Sequence, residues 1–191
     1  FGELFFSIDP GYRGGKDHKI CTQYQGLEGE TDLFDDGFYV PENVYVIGTM
    51  NDIDRSVESM DFAMRRRFAW KEITAEQSKS MLDSEKAWKG TKPNDEVLKT
   101  LKEKMDSLND AVLKERNLGK AYQIGASYFL NYRLYSEKEN PYENLWKYHL
   151  EGLLAEYLRG TSDAGNRLNA LKAAYDLKTS LEVTATDENI D

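Results

Sequence analysis

Asn43-Val44-Tyr45-Val46-Ile47-Gly48-Thr49-Met50-Asn51-Asp52-Ile53-Asp54-Arg55-Ser56 leads shortly into Met60-Asp61-Phe62-Ala63-Met64-Arg65-Arg66-Arg67-Phe68. The run 44–49 is apolar without alternation and rich in β-branched residues, which predicts a strand buried on both faces, as in a parallel sheet. In open α/β sheets ligands gather outside the carboxyl ends of the strands, and Asn51 falls at that end. An Asn there can orient a water or touch a terminal phosphate. A helix should come next, capped by Asp54 or Ser56, with Val57, Met60 and Met64 on one face. It ends in Arg65, Arg66 and Arg67. Arginine is permanently charged and offers a planar fork of donors matched to phosphate oxygens.

Working outward, residues 1–8 read as the end of an apolar helix or strand, broken by Pro10-Gly11 and Gly14-Gly15. Residues 19–40 read as a hairpin region, with Lys19 to Tyr24 and Gly37 to Val40 flanking an acidic loop. On the other side, Phe68 to Ile73 alternates and predicts a second strand. From Thr74 onward the pattern is helical. Thr74 and Gln77 form a capping box. Asn94 caps a long helix with a stripe of Val97, Leu101, Met105, Leu108 and Val112. Asn140-Pro141 starts another, ended by Gly160 and burying Leu145, Trp146, Leu150, Leu153, Leu154 and Tyr157. A last helix carries Leu168, Leu171 and Tyr175. The expected class is α/β followed by all-α, with a boundary at Ile73: 1–73, then 74–177, then an acidic tail over 178–191.

The 191 residues carry a net charge of -9, with 40% hydrophobic and 31% charged residues. That length buries a core without disulfide or metal. The acidic balance disfavours nonspecific binding to phosphate backbones. Cys21 is the single cysteine, which fits a reducing cytoplasm. No apolar run approaches the roughly 20 residues of a membrane span. His18 and His149 lack Cys or His partners at metal-ligand spacing, so no metal site is expected. Trp70, Trp88 and Trp146 are expected in the packing. Tyr122, Tyr128, Tyr132 and Tyr135 are read as packing residues in preference to a base-stacking surface.

The central segment resembles the McrB-like branch of AAA+ proteins, the motor subunits of modified-cytosine-dependent restriction systems. The resemblance rests on Gly48-Thr49-Met50-Asn51, Asp54-Arg55-Ser56 and Arg65-Arg66-Arg67-Phe68, with the lead-in Phe38-Tyr39-Val40-Pro41-Glu42-Asn43. Phe1-Gly2-Glu3-Leu4 is similar to the segment just after the family's acidic metal-binding strand, and residues 124–129 are similar to a motif of its lid. The resemblance implies a partial AAA+ α/β core followed by a helical lid. It makes Asn51 the sensor that places the hydrolytic water, and Arg66 and Arg67 the arginines that reach a nucleotide across a subunit interface or organise that interface. Asp54 and Arg55 support the same site, and Gly125 and Ser127 lie near the nucleotide on the lid. No sensor arginine of the lid is assigned; Arg133 is only near in sequence.

The chain has no Gly-x-x-x-x-Gly-Lys-Ser/Thr phosphate loop, and Gly14-Gly15-Lys16 lacks the first glycine and the hydroxyl. The phosphate loop and the acid that holds Mg2+ are therefore expected upstream of Phe1. Alone, the chain should not turn over nucleotide. The resemblance implies a parent that hydrolyses GTP or ATP as a ring oligomer, a hexamer, in the cytoplasm. That parent would power DNA translocation, reach DNA through an upstream domain, and activate a nuclease subunit. Two alternatives stand beside it: a remodelling ATPase of the same clade acting on protein, and a noncatalytic assembly module. Taken alone, Asn51 could cap the turn after a strand and the arginine triplet could be a solvated helix end. The family spacing between them favours the sensor reading, with Arg65 as the structural member of the triplet.

Overall fold

Thr74 accepts a hydrogen bond at its hydroxyl from the Gln77 N–H, and the Gln77 side chain accepts one from the Thr74 N–H, each at 3.2 Å. This reciprocal cap satisfies two donors that a helix start leaves open. It opens the helical unit of a computed structural model that describes residues 2–23, 36–50 and 62–178. The chain divides into two units, Phe1–Lys71 and Glu72–Asp191.

In the helical unit, α3 (Ala75–Ser78) runs into a 3-10 turn over Lys79–Asp83, and α4 (Glu85–Trp88) comes after it. The long helix α5 (Asp95–Lys114) is capped by Asn94, whose side chain accepts from the Val97 N–H at 3.0 Å. Acidic residues in its first turn and Lys114 in its last complement the helix dipole. Leu98, Leu101, Met105, Leu108 and Val112 are buried along one face, and full burial of each such side chain contributes about 1.5–3 kcal/mol. After a 3-10 turn over Lys120–Tyr122 come α6 (Ala126–Phe129), a 3-10 turn over Leu130–Leu134, and α7 (Pro141–Leu145). A π-helical turn, Trp146–Leu150, joins α7 to α8 (Glu151–Tyr157), and α9 (Ala164–Tyr175) packs along α5. The π turn rotates the register, so that Leu145, Trp146, Leu150 and Leu154 all enter the core.

One detail departs from the sequence expectation and one refines it. Asn140-Pro141 starts α7 as expected; Asn140 sits at φ 53° and its side chain makes no cap bond. Asn tolerates the left-handed region better than most residues, and that tolerance is what the position uses. Trp88 and Trp146 are core residues, whereas Trp70 is 49% exposed.

In the first unit, α1 (Gly2–Ser7) realises the helical option for the opening residues. Ile20 and Phe38 form an isolated antiparallel bridge, with N···O distances of 2.9 and 2.7 Å. Gly37 has φ 89°, and a Cβ there would lie 2.9 Å from the Lys19 Cβ, so the bridge requires a glycine beside it. Gly14, at φ 78°, donates to the Val40 carbonyl, and a Cβ on it would collide with the Glu42 side chain. A glycine is therefore required there by close backbone approach.

The α/β half of the expected fold is not seen among the described residues, which form helices and the one bridge. Residues 44–50 are not a buried strand. Val44 and Val46 are 43% and 44% exposed, and Tyr45 and Ile47 are 81% and 91% exposed. The period-two rise and fall is that of a pleated, extended chain. A strand needs a neighbouring ladder, and among the described residues none lies alongside. Phe68 to Ile73 likewise forms no strand, and Ile73 is 73% exposed.

Candidate functional site

The arginine triplet ends α2 (Phe62–Arg65), whose last turn is closed by Arg66 N–H to the Phe62 carbonyl and Arg67 N–H to the Met64 carbonyl. The three side chains then separate. The Arg65 guanidinium lies 5.4 Å from the centroid of the Trp70 ring, and the Trp70 indole N–H donates to the Arg65 carbonyl at 2.8 Å. This closed pair explains why Trp70 sits outside the core: its polar edge caps the helix end and its face carries a cation.

Arg67 turns back on its own unit. One terminal nitrogen donates to the Ala63 carbonyl at 2.5 Å, and the other lies 3.3 Å from Asp9 Oδ2. Its side chain is 13% exposed, and its Nε is buried with no acceptor among the described residues. Asp9 is itself fixed, because its Oδ1 accepts from the Gly11 N–H at 3.2 Å. Arg66 differs from both neighbours. It is exposed, and its guanidinium has no partner among the described residues. Asn51, Asp54 and Arg55 lie outside the described residues, so the arginine end is the part of this set that has a described geometry.

The lid motif belongs to the helical unit. Asn109, buried on α5, donates to the Ile124 carbonyl at 3.0 Å and accepts from the Ile124 N–H at 2.6 Å. Next, the Ser78 hydroxyl donates to the Ala75 carbonyl at 2.6 Å and accepts from the Ala126 N–H at 2.9 Å. The backbone on both sides of Gly125 is thereby anchored to α5 and α3. Gly125 itself has φ -75° and ψ 159°, open to any residue, and a Cβ on it would make only an ordinary contact of 3.5 Å with Ser78 Oγ. The packing of the lid therefore does not explain the glycine. Ser127 is exposed in the first turn of α6.

Asn109 and Ser78 were not singled out from sequence. A signal for Asn109 existed: it falls on the apolar stripe of α5, one turn after Met105, where a side chain that competes with the backbone is disfavoured unless it has a specific partner. Arg133 donates to the Ala87 carbonyl at 3.0 Å and so serves the lid's own packing. His149 lies between the Asn131 amide at 3.2 Å and the Tyr135 hydroxyl at 3.0 Å, and burial pushes its pKa down. Tyr122 packs edge-on against Tyr157, and Tyr132 lies tilted against Tyr142. Among the described residues no helix is long and apolar enough to cross a membrane.

Residues 100–164, from α5 to the start of α9, match the family model for the McrB alpha-helical lid domain. Over 134 residues the chain is 37% identical to the Type IV methyl-directed restriction enzyme EcoKMcrB subunit of Escherichia coli (strain K12). The match covers 68% of this chain and 26% of that protein, so the chain spans about a quarter of its relative's length. The chain is McrB-like, and its helical unit carries the alpha-helical lid domain of that family.

Proposed function

We propose that this chain supplies the sensor, the arginine end and the lid of a AAA+ nucleoside-triphosphatase in a modification-dependent DNA restriction system. In this reading the intact protein hydrolyses GTP or ATP with Mg2+ as a ring, a hexamer, in the cytoplasm. It powers DNA translocation and activates a nuclease subunit, and it reaches DNA through a domain outside this chain. The phosphate loop and the Mg2+-binding acid also belong to sequence outside it. The relative's printed description as a methyl-directed restriction enzyme subunit supports the restriction setting.

Exposure of Arg66 is the observation that carries the reading. A guanidinium at a helix end, without a partner among the described residues, can be lent to a phosphate on a neighbouring subunit. There it meets charge that develops in the transition state. Asn51 orients the attacking water, and Asp54 and Arg55 support that site. Gly125 lets the lid backbone approach the nucleotide, and the Ser127 hydroxyl offers it a hydrogen bond.

The test is nucleotide turnover by the intact protein with Arg66→Ala. Turnover should fall on the order of a thousandfold while nucleotide affinity is kept. Unchanged turnover would remove the reading.

A further inference from the structure

Two adjacent arginines of identical chemistry have opposite environments here, and an acid from the start of the chain makes the difference. Arg67 has both terminal nitrogens engaged within its own unit, by the Ala63 carbonyl at 2.5 Å and Asp9 Oδ2 at 3.3 Å. Turning it outward would break both contacts and strand the Asp9 carboxylate, which is 25% exposed. The turn that holds Asp9 is well braced. Its Oδ1 takes the Gly11 N–H, and its carbonyl takes the N–H groups of Tyr12 and Arg13 at 2.9 and 3.0 Å. Resting on the function proposed above, we propose that Asp9 and Arg67 are a positioning pair that fixes the end of α2, so that Arg66 alone is presented to the neighbouring subunit.

The pair acts through geometry. Arg67 ties the chain after α2 both to the helix, at Ala63, and to the turn at Asp9. The direction in which Arg66 leaves the backbone is set between those two ties. Displacement of a reacting group by about 1 Å can cost on the order of a hundredfold in rate. Arg67 so placed contributes to hydrolysis without touching the nucleotide, and Asp9 contributes although it resembles no nucleotide-binding residue in sequence.

The test uses the intact protein with Asp9→Asn, Arg67→Lys, Arg67→Ala and Arg66→Ala. For each, kcat, KM and ring size are measured, alone and mixed with a phosphate-loop mutant. Asp9→Asn should lower kcat on the order of a hundredfold, with KM and ring size unchanged, and mixing should restore part of the activity, because the defect lies in what the subunit presents to its neighbour. Arg67→Lys keeps the charge opposite Asp9 and should retain more activity than Arg67→Ala. The proposal is overturned if Asp9→Asn is as active as the wild type while both Arg67 variants are inactive, since Arg67 then acts directly. It is also overturned if Asp9→Asn disrupts ring size or raises KM as much as it lowers kcat, since the pair is then merely structural. If Arg66→Ala alone keeps full turnover, the underlying function fails, and the positioning pair fails with it.

Discussion

Asn109 closes both backbone hydrogen bonds of Ile124, donating to its carbonyl at 3.0 Å and accepting from its N–H at 2.6 Å. The pairing imitates one rung of a sheet inside a helical unit. It links the C-terminal half of α5 to the residue just before Gly125-Ala126-Ser127, and Ile124 is itself buried. The irregular residues just before α6 are thus given a fixed place by a buried side chain.

Asn109→Ala should destabilise the helical unit by about 2–6 kcal/mol, because it strands two buried backbone groups that each cost about 1–3 kcal/mol when unmet. Urea unfolding followed by far-UV circular dichroism measures it. A change below about 0.5 kcal/mol, the usual level of a neutral surface substitution, would show that the Ile124 backbone finds other partners.

Gly125→Ala should separate stability from function. Its backbone conformation suits alanine and the added methyl has room, so stability should be unchanged or rise by up to about 1 kcal/mol. On the function proposed above, which brings the Gly125 backbone close to the nucleotide, the same change in the intact protein should weaken nucleotide binding or turnover. Thermal unfolding and nucleotide titration on one variant check both halves. A loss of stability would mean that the glycine serves the lid alone.

Alkaline pH should unfold the helical unit. Burial, the largest cause, pushes the Tyr132 and Tyr157 hydroxyls up to about 12, and drives Tyr175 upward as well. Their folded pKa values lie above the unfolded value near 10. Their contribution is therefore complete below pH ~10 and is lost as the pH rises toward 12. Lys172 acts in the same direction: burial lowers its pKa, but bonds to Asp176 and Glu143 raise it more. Lys104, lowered by burial, acts in the opposite sense. Tyr157→Phe should flatten the decline between pH 10 and 12 in a thermal melt series. An identical slope would show that Tyr157 ionises equally in both states.

The exposed run 44–50 should drive self-association of the isolated chain. Val44, Tyr45, Val46, Ile47 and Met50 are all exposed, and unpaired extended apolar chain invites pairing with another copy. Light scattering should fall with Ile47→Lys. A chain that stays monomeric at high concentration without that change would contradict the expectation.

The helices were legible where local chemistry decides them. Thr74 with Gln77, and Asn94 with Val97, are caps written within four residues, and the α5 stripe needs only helical spacing. What depended on distant partners was not legible. The run 44–49 has the composition of a buried strand, but a strand is made by its neighbours. Asn140-Pro141 marks the helix start, but the left-handed conformation of Asn140 is not written in the pattern. Trp70 has the bulk of a core residue but an indole N–H that finds the Arg65 carbonyl at the surface. The candidate site divides in the same way. The sequence marks Arg66 and Arg67 alike, and the contacts of Arg67 with Ala63 and Asp9 separate them. Likewise Gly125 and Ser127 stand out by resemblance, while Asn109 and Ser78, which hold that segment, carry no motif.

Subunit mixing tests the central claim, that Arg66 serves a neighbour's nucleotide. In the intact protein, Arg66→Ala and a phosphate-loop mutant should each be inactive alone. Mixed, they should regain part of the hydrolysis, because the Arg66→Ala subunit keeps a complete phosphate site that can receive Arg66 from the other subunit. Asn51→Ala mixed with the same phosphate-loop mutant should stay inactive, since neither subunit then holds a complete site of its own. Recovery in the first mixture alone is the predicted result. Equal recovery in both mixtures, or in neither, would contradict the assignment of Arg66 to the neighbouring subunit.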